Sequence, residues 1–332
     1  MRQRLALVGT GTMGLLHARV LSQSERVELV RVVEPREEAG RACADRYGAR
    51  WSPELEDLSD VDAVVLASPT ESHDRLAAEI LKHGKPLLVE KPLANTLAAA
   101  VEIVALAATA DVPLMCGFVE RFNPAVLTAL ALTREPVHAI ARRHGPYAPR
   151  IRTGVAWDLL VHDVDVALRL FGSAPTRVTS GRGYFHPDSA PGAEDAVDAV
   201  LSFPSGMATV SASRLAQRKV RSLVISELDR LIELDLLRRA VTIYRHVSHD
   251  SATPDGLGYR QQAVIEIPEL VSAREPLAAQ LDHFLDMIEN KVDATAERAS
   301  ILPAHHVIAT VLADAGDPSI GRSGLASGSQ NQ

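Results

Sequence analysis

Residues 5–14, Leu-Ala-Leu-Val-Gly-Thr-Gly-Thr-Met-Gly, join a short apolar run to a Gly-x-Gly-x-x-Gly loop, and the apolar residues that follow predict a helix. Gly9 permits a tight turn at the end of the strand. Gly11 lets backbone N–H groups approach a pyrophosphate, and Gly14 lets the helix lie close to the sheet. The helix N-terminus adds partial positive charge. The stretch predicts a dinucleotide site, although a glycine-rich turn without a ligand has the same pattern.

A second apolar run, residues 27–33, ends in Glu34, about 20 residues after Gly14, where dinucleotide sites place an acidic residue for the ribose. A carboxylate there can accept both ribose hydroxyls of NAD. It repels the additional phosphate of NADP by about 4 kcal/mol at 4 Å in an effective dielectric near 20. Arg36 is close in sequence and can soften this repulsion. NAD is therefore favoured over NADP.

Strand and helix patterns alternate through the first part of the chain, from residue 4 to about 117. The predicted strands are 5–8, 27–33, 48–51, 61–67, 86–89 and 113–118. Helices are predicted from about Met13, over 37–47 and 72–83, and from an N-cap at Thr96 to about residue 110. Such alternation predicts a doubly wound parallel sheet of the Rossmann type, with ligands at the carboxyl ends of the strands.

Lys91 follows one of these buried strands directly. Its position at the carboxyl end of the sheet faces the expected nicotinamide end of the site. An ammonium group there can polarise a substrate hydroxyl or carbonyl oxygen. A surface lysine in a loop before Pro92 is the alternative interpretation.

The second half of the chain reads mainly as strands from 137 to about 267, and two helices, at 276–288 and 304–315, follow. The pattern predicts a large, mostly antiparallel open sheet with flanking helices. One uncovered face of such a sheet favours a homo-oligomer, a dimer or a tetramer. We expect a dinucleotide-binding domain at 1–118, a substrate-binding and oligomerisation domain at 119–316, and a partly disordered tail at 317–332.

One stretch, 157–172, reads as a helix with a polar stripe, in which Asp158, His162, Asp165 and Arg169 recur at helical spacing. Histidine can take and return a proton near neutral pH, and Asp158 can hold a substrate hydroxyl or orient the imidazole. The stripe also fits a solvent-facing side of the helix. A metal pair is a third possibility, but no further cluster at ligand spacing supports one, and we expect no metal.

Composition limits the class of protein. The 332 residues carry 35 basic and 42 acidic side chains, a net charge of −7, which argues against a nucleic-acid partner. Two cysteines, Cys43 and Cys116, are too few for a disulfide framework. The chain contains no uninterrupted apolar segment of membrane-spanning length and no signal-peptide pattern. A cytoplasmic protein is expected.

Four motifs in this order resemble the Gfo/Idh/MocA oxidoreductase family over nearly the whole chain. They are Gly9-x-Gly11-x-x-Gly14, Ser68-Pro69-Thr70-x-x-His73, Glu90-Lys91-Pro92 and Asp158-x-x-x-His162-x-x-Asp165. The resemblance implies an NAD-dependent dehydrogenase with Lys91, Asp158 and His162 as its catalytic trio. The cofactor-binding residues that it implies are Gly9, Thr10, Gly11, Thr12, Met13, Gly14, Glu34, Ser68, Pro69, Thr70, His73, Glu90 and Lys91. The sequence departs from the family at Leu160, where a small residue is usual.

Two further segments, residues 120–124 and 143–158, are similar to the UDP-N-acetylglucosamine 3-dehydrogenase branch of this family. That similarity implies oxidation of a secondary hydroxyl of a nucleotide sugar to a 3-keto sugar. The expected substrate-binding residues are Arg121, Asn123, Arg143, Arg150, Asp158 and His162, with Arg152 as a further cation; ordinary surface charge is the alternative for these arginines. A free sugar or inositol dehydrogenase, a redox-neutral NAD-dependent glycosidase, and a non-catalytic NAD(H)-binding sensor or scaffold remain alternatives.

Overall fold

A computed structural model describes residues 2–149, 151–253 and 256–314, so that the expectations for Arg150 and for the 317–332 tail lie outside the described residues. The chain divides into two compact units. The first contains the residues up to Phe122 together with Arg274–Ala309, and the second contains Asn123–Ala273 and the described residues after Ala309. Within the described residues, no helix combines the length and apolar character needed to cross a membrane.

The first unit is built on a six-stranded parallel sheet. Its strands are β1 (Gln3–Val8), β2 (Val27–Val33), β3 (Arg50–Ser52), β4 (Ala63–Leu66), β5 (Leu87–Val89) and β6 (Leu114–Cys116). The helices between them are α1 (Thr12–Gln23), α2 (Glu37–Tyr47), α3 (His73–Lys82) and α4 (Leu97–Thr109). The strand order, β3-β2-β1-β4-β5-β6, confirms the doubly wound sheet. All of β4 is buried, as expected for a strand covered on both faces.

The domain boundary differs from the sequence-based expectation, because three helices from the end of the chain belong with the first unit. They are α7 (Pro276–Ile288), α8 (Ala294–Ala299) and α9 (Leu302–Ala313), of which α9 continues past Ala309. The apolar face of α7 explains the difference, since Phe284 and Leu285 are fully buried in the core formed by β1, β2 and α1. Arg26 reinforces this packing through ion pairs with two acidic residues at the end of α7. The short α8 was not expected.

The second unit contains an eight-stranded sheet. A helix, α5 (Pro124–Leu132), precedes it, and α6 (Val161–Phe171) follows its first strand. The strands are β7 (His138–His144), β8 (Arg177–Gly183), β9 (Ala196–Phe203), β10 (Gly206–Ser213), β11 (Val220–Ser226), β12 (Leu231–Asp235), β13 (Ala240–Thr253) and β14 (Gly256–Glu266). The order is β14-β13-β12-β11-β7-β10-β9-β8, and only the β7–β10 pair is parallel among the pairings described. This confirms the mostly antiparallel sheet.

Candidate active site

The glycine loop between β1 and α1 has the geometry of a phosphate cradle. Gly9 has a φ of +95°, which an L side chain rarely adopts. A Cβ on Gly14 would lie 2.0 Å from the carbonyl oxygen of Gly9, so only glycine permits this approach of helix to loop. A Cβ on Gly11 would meet no atom within 4 Å. The open space at Gly11 and the uncapped start of α1 fit a pyrophosphate, and Thr12 and Met13 form the first turn beside it.

Glu34, directly after β2, lies beside this loop. Its carboxylate accepts hydrogen bonds from the backbone N–H and the hydroxyl of Thr10, both at 2.9 Å, and from the guanidinium of Arg36. Burial by itself would raise the pKa of Glu34. The hydrogen bonds from Arg36 and Thr10 outweigh burial and hold the pKa at about 2. The carboxylate is therefore ionised at neutral pH, as a group that binds ribose hydroxyls should be.

His73 joins two loops at the carboxyl ends of β4 and β5. Its ring nitrogens each lie 3.0 Å from a carbonyl oxygen, Nε2 from Ser68 and Nδ1 from Pro92. Burial lowers the pKa of His73, although those carbonyls act in the opposite direction. His73 is 1% exposed, so it positions the Ser68-Pro69-Thr70 loop against the Glu90-Lys91-Pro92 loop from within the protein. A contact of His73 with the cofactor stays a prediction.

Glu90 is a buried carboxylate immediately before Lys91. Its Oε1 lies 2.7 Å from Nε2 of His17 on α1, and its Oε2 accepts the backbone N–H of Lys91. Burial acts to raise the pKa of Glu90, but His17 and Lys91 outweigh it and lower the pKa. A Cβ on Gly117 would come within 3.0 Å of Glu90. Glu90 thus ties the helix of the glycine loop to the backbone that carries Lys91, a role that the sequence did not show for His17.

The segment with Asp158 and His162 begins differently from the predicted helix. Residues 156–160 form a π-helical turn, in which the N–H of Val161 reaches the carbonyl of Ala156, five residues back. Such turns inside α-helices are frequent at functional sites. Most of the polar stripe is at least partly buried: His162 is 7% and Asp165 4% exposed, Asp158 is half-buried, and Arg169 is exposed. A solvent-facing stripe therefore does not describe this helix.

Glu194 anchors the first turn of this segment. Its Oε1 accepts the N–H of Ala156 at 2.7 Å, and its backbone carbonyl accepts the N–H of Val155. A Cβ on Gly154 would lie 2.1 Å from the Glu194 carboxylate, so a glycine is required at this contact. Burial raises the pKa of Glu194. Sequence reasoning missed Glu194, and the pattern Gly192-Ala-Glu-Asp before β9 was the available signal.

Arg143, expected to bind substrate, instead forms a buried ion pair. Its guanidinium donates to both carboxylate oxygens of Asp163, at 2.8 and 3.0 Å, and links β7 to α6 one residue from His162. Both side chains are less than 5% exposed. The pair positions α6, and a contact of Arg143 with the substrate stays a prediction.

Arg121 and Asn123 are likewise committed to the fold. Arg121 donates to Glu297 and Ser300 and lies over the ring of Phe118. Asn123 is the N-cap of α5 and donates to the carbonyl of Leu236. Both side chains are buried, and their assignment to the substrate stays a prediction. Arg152 is exposed in the loop before the π-helical turn.

A cavity of about 190 Å³ opens in the second unit beside Asp158. Apolar and basic side chains line its walls, and Asp158 is the single carboxylate among the lining residues. The four cations that line it are Arg143, Arg214, Lys219 and Arg221. Of these, sequence reasoning found only Arg143, because the others stand in the β10–β11 region without a recognisable motif. The structure thus places Asp158 in a cationic pocket.

The six-stranded parallel sheet and the glycine loop define a Rossmann-type domain, and the eight-stranded sheet belongs to a second unit. Two family models match the chain: "Oxidoreductase family, NAD-binding Rossmann fold" over residues 3–118, and "GFO/IDH/MocA C-terminal domain" over residues 133–227. The chain belongs to the Gfo/Idh/MocA oxidoreductase family, which confirms the resemblance inferred from its motifs.

Several named proteins are similar to this chain over most of its length. UDP-N-acetylglucosamine 3-dehydrogenase of Acidithiobacillus ferrooxidans is 28% identical over 86% of this chain and 88% of its own. Inositol 2-dehydrogenase of Rhizobium meliloti is 31% identical over 77% of this chain and 80% of its own. The solved structure of the Acidithiobacillus ferrooxidans enzyme gives a TM-score of 0.77 at 26% identity and covers 95% of this chain and 99% of that one.

Proposed function

We propose that this protein is an NAD-dependent dehydrogenase that oxidises a secondary hydroxyl of a sugar, and that the sugar is part of a nucleotide sugar. The observation that carries the proposal is the anchored helix of the second unit. Asp158 lines the cationic cavity there, and His162 follows one turn later between the Glu194 anchor and the Arg143–Asp163 pair. Lys91 provides the third member of the trio that the family resemblance implies.

Each member of the trio has a distinct role in this reaction. NAD, which the glycine loop and Glu34 would hold, would supply the hydride acceptor for the carbon that bears the hydroxyl. His162 accepts the hydroxyl proton, since an imidazole can hold a proton near neutral pH. Lys91 stabilises the negative charge that develops on the oxygen, and Asp158 holds the hydroxyl in line with the imidazole. The buried Glu90, bonded to the N–H of Lys91, orients the backbone that carries the ammonium group.

NAD is the proposed cofactor rather than NADP. Glu34 remains ionised because the hydrogen bonds of Arg36 and Thr10 lower its pKa to about 2. An anionic group at the ribose disfavours an additional phosphate there. The side chain of Arg36 is 67% exposed, and its guanidinium neutralises part of the charge of Glu34. We therefore expect a preference for NAD and not absolute exclusion of NADP.

The nucleotide-sugar assignment rests on the excess of cations beside Asp158 and on the similarity to the UDP-N-acetylglucosamine 3-dehydrogenase branch. Inositol 2-dehydrogenases are also among the relatives, so oxidation of a free polyol is the alternative within the same chemistry. A neutral polyol needs no cationic pocket, and the observation therefore favours the charged substrate.

The reaction is tested by mass spectrometry of candidate substrates after incubation with the protein and NAD. A carbonyl trap captures the product, and an added oxoacid recycles any bound NADH. The panel contains UDP-N-acetylglucosamine, other UDP-sugars, glucose and inositol. Loss of two hydrogens from UDP-sugars alone supports the nucleotide-sugar proposal. Loss only from glucose or inositol rejects that substrate, and no change with NAD bound favours a sensor or scaffold.

The role of Lys91 is tested by Lys91→Met, with Lys82→Met as the control. Lys82 is exposed in the last turn of α3 of the same unit. Lys91→Met should lower kcat by at least about 100-fold and leave the Kd for NAD within about twofold, because the ammonium acts on the reacting oxygen. Lys82→Met should match the wild type. Turnover that survives Lys91→Met rejects the catalytic assignment.

A homodimer or tetramer and a cytoplasmic location stay predictions. The prediction of a homo-oligomer is supported by exposed apolar side chains on the strands of the eight-stranded sheet. They are Met207, Tyr244 and Ile265. Light scattering of the purified protein measures the assembly, and a monomer at micromolar concentration would contradict it.

A further inference from the structure

A buried histidine near the end of the chain bonds to the loop that carries Lys91, residues 90–93. His305 lies in α9 and is fully buried. Its Nε2 accepts the backbone N–H of Leu93, two residues after Lys91, at 3.1 Å. Its Nδ1 lies 2.9 Å from the carbonyl oxygen of Ile301, four residues back in the chain. His305 thus joins α9 to the Lys91 loop within the first unit.

The two partners of His305 decide which ring nitrogen carries the hydrogen. A backbone N–H only donates, so Nε2 presents its lone pair to Leu93. A carbonyl oxygen only accepts, so Nδ1 carries the hydrogen and donates it to Ile301. The ring is therefore a neutral imidazole in one tautomer. Because Leu93 is fully buried, loss of this acceptor would leave its N–H unsatisfied in the protein interior.

Buried side chains also hold the other residues of the Lys91 loop. The contacts are His17 to the Glu90 carboxylate, that carboxylate to the N–H of Lys91, and His73 to the carbonyl of Pro92. With the bond of His305 to Leu93, each of the four residues has a hydrogen-bond contact with a buried side chain. The backbone is therefore fixed on both sides of Lys91, whose own side chain is half-buried.

The two histidines that follow Lys91 in this arrangement differ in how well their partners are satisfied. His73 lies between two carbonyl oxygens, of Ser68 and Pro92, and burial lowers its pKa. A neutral imidazole has one N–H, so it can donate to only one of these carbonyls. His305 satisfies both of its partners as a neutral ring. The bond from His305 is therefore the better-defined hold on the loop after Lys91.

We propose that His305 is a positioning residue for Lys91, which acts through the backbone N–H of Leu93 and not by contact with substrate or cofactor. Supporting residues must hold a catalytic group within about 0.5 Å of its productive geometry. His305 meets this need because its bond fixes the chain two residues from the ammonium-bearing side chain. This inference rests on the proposed function for the role of Lys91, and it gives α9 a part in the reaction.

Three substitutions at His305 separate the hydrogen bond from the bulk of the ring. His305→Leu keeps an apolar side chain of similar size and removes the acceptor for Leu93. His305→Gln restores an acceptor oxygen at about the distance of Nε2. His305→Asn is the second removal variant, because its shorter amide ends near the position of Nδ1 and does not reach Leu93.

His306 provides the matched control on the same helix. Its Nδ1 lies 3.0 Å from the carbonyl oxygen of Leu302, which is the same contact one residue further along, and its side chain is exposed. His306→Leu therefore removes an equivalent contact within α9 and leaves the bond between His305 and Leu93 in place.

Turnover is compared at a temperature at which thermal unfolding shows each variant to be folded. His305→Leu and His305→Asn should lower kcat by about 10- to 100-fold, because a catalytic group displaced by about 1 Å loses rate on this scale. The Kd for NAD should stay within about twofold. His305→Gln should recover kcat to within about threefold of the wild type, and His306→Leu should match it. Wild-type kcat in a folded removal variant overturns the inference, as does a His305→Gln variant as slow as His305→Leu.

NMR of the methylated protein without NAD tests the position of Lys91 separately from catalysis. Reductive methylation with ¹³C labels the five lysines and keeps their positive charge, and Lys91→Met identifies the signal of Lys91. That signal should move in His305→Leu and stay at its wild-type position in His305→Gln and His306→Leu. A lowered kcat with an unmoved signal overturns the inference while the dehydrogenase stands. A moved signal in a protein whose wild type oxidises no sugar rejects the dehydrogenase, while the hold of His305 on Lys91 stands.

Discussion

The glycine loop of the first unit and the cationic cavity of the second both fit a negatively charged ligand, but they are built in opposite ways. At the glycine loop the binding groups are backbone N–H groups, a helix terminus and Glu34, all within the first βαβ segment of the chain. In the cavity the groups are side chains of β7, of the π-helical turn before α6 and of the β10–β11 region, and they come together only in the folded unit.

The carboxylate–arginine pairs beside the two sites show the same contrast. Glu34 and Arg36 are two residues apart, and Arg36 stays exposed. Arg143 and Asp163 are twenty residues apart in sequence, on separate elements, and both are buried. In the first pair, Arg36 lowers the pKa of Glu34, the proposed ribose ligand, whereas the second pair links β7 to α6. Removing one partner of a buried ion pair lowers the stability of the fold strongly, because the other partner then remains as an unpaired charge in the protein interior.

The largest effect should follow from removing one partner of the buried pair. Arg143→Ala leaves Asp163 as an uncompensated buried charge and should lower the free energy of unfolding by roughly 3–5 kcal/mol. Arg41→Ala removes an exposed i,i+4 ion pair with Glu37 and should change the free energy of unfolding by less than about 0.5 kcal/mol. Urea unfolding measures both. A similar, small loss in the two variants would show that Arg143 is not a framework residue and would return it to the substrate candidates.

The two glycines of the phosphate loop should respond differently to the same added methyl group. Gly14→Ala places a Cβ against the backbone of Gly9 and should lower the free energy of unfolding by roughly 2–3 kcal/mol. The methyl group of Gly11→Ala meets open space, so the free energy of unfolding should stay within about 0.5 kcal/mol of the wild-type value. The Kd for NAD should nevertheless rise about tenfold or more, because the methyl group occupies the space proposed for the pyrophosphate. Thermal unfolding and NAD titration measure these effects. Unaltered NAD binding by Gly11→Ala would place the pyrophosphate elsewhere.

The smallest effect concerns how the contribution of Glu34 to the free energy of unfolding depends on pH. Because the pKa of Glu34 is about 2 in the folded protein against 4.5 unperturbed, its ionised form stabilises the fold above pH 4.5. That contribution is lost as the pH falls from 4.5 towards 2. Glu34→Gln should therefore lower the free energy of unfolding by roughly 1–2 kcal/mol at pH 7, reduced by solvent screening at Arg36, with a smaller difference at pH 3.

Equal destabilisation by Glu34→Gln at pH 7 and pH 3 would mean that the charge of Glu34 is not the source of its contribution. Arg36→Ala provides the matched comparison, because it removes the partner and keeps the carboxylate. Arg36→Ala should reduce the difference in the free energy of unfolding between pH 7 and pH 3. The reason is that the hydrogen bond from the Arg36 side chain lowers the pKa of Glu34 more than any other contact does.

Much of the first unit could be predicted because its signals are local. The predicted helix over 37–47 matches α2, and Thr96 caps α4 as its side chain suggested. Predicted strands such as 61–67 and 113–118 were longer than β4 and β6, since apolar runs continue into the buried loops at strand ends. The place of α7 could not be predicted, because its apolar face fits either domain until the sheet of the first unit is assembled.

The sequence by itself determined the parallel sheet, the glycine loop with Glu34, and the family to which the chain belongs. Each of these features is signalled by short motifs or by the alternation of strand and helix patterns, both of which can be read along the chain. Only the tertiary structure decided the partners of each arginine, so that Arg143 both pairs with Asp163 and lines the cavity, whereas Arg121 pairs with Glu297. That choice depends on strand register and helix packing, which bring Asp163 to Arg143 and set Arg221 opposite Arg143. A charge acquires its role from the partners that folding places within hydrogen-bond distance, and those partners are distant in sequence.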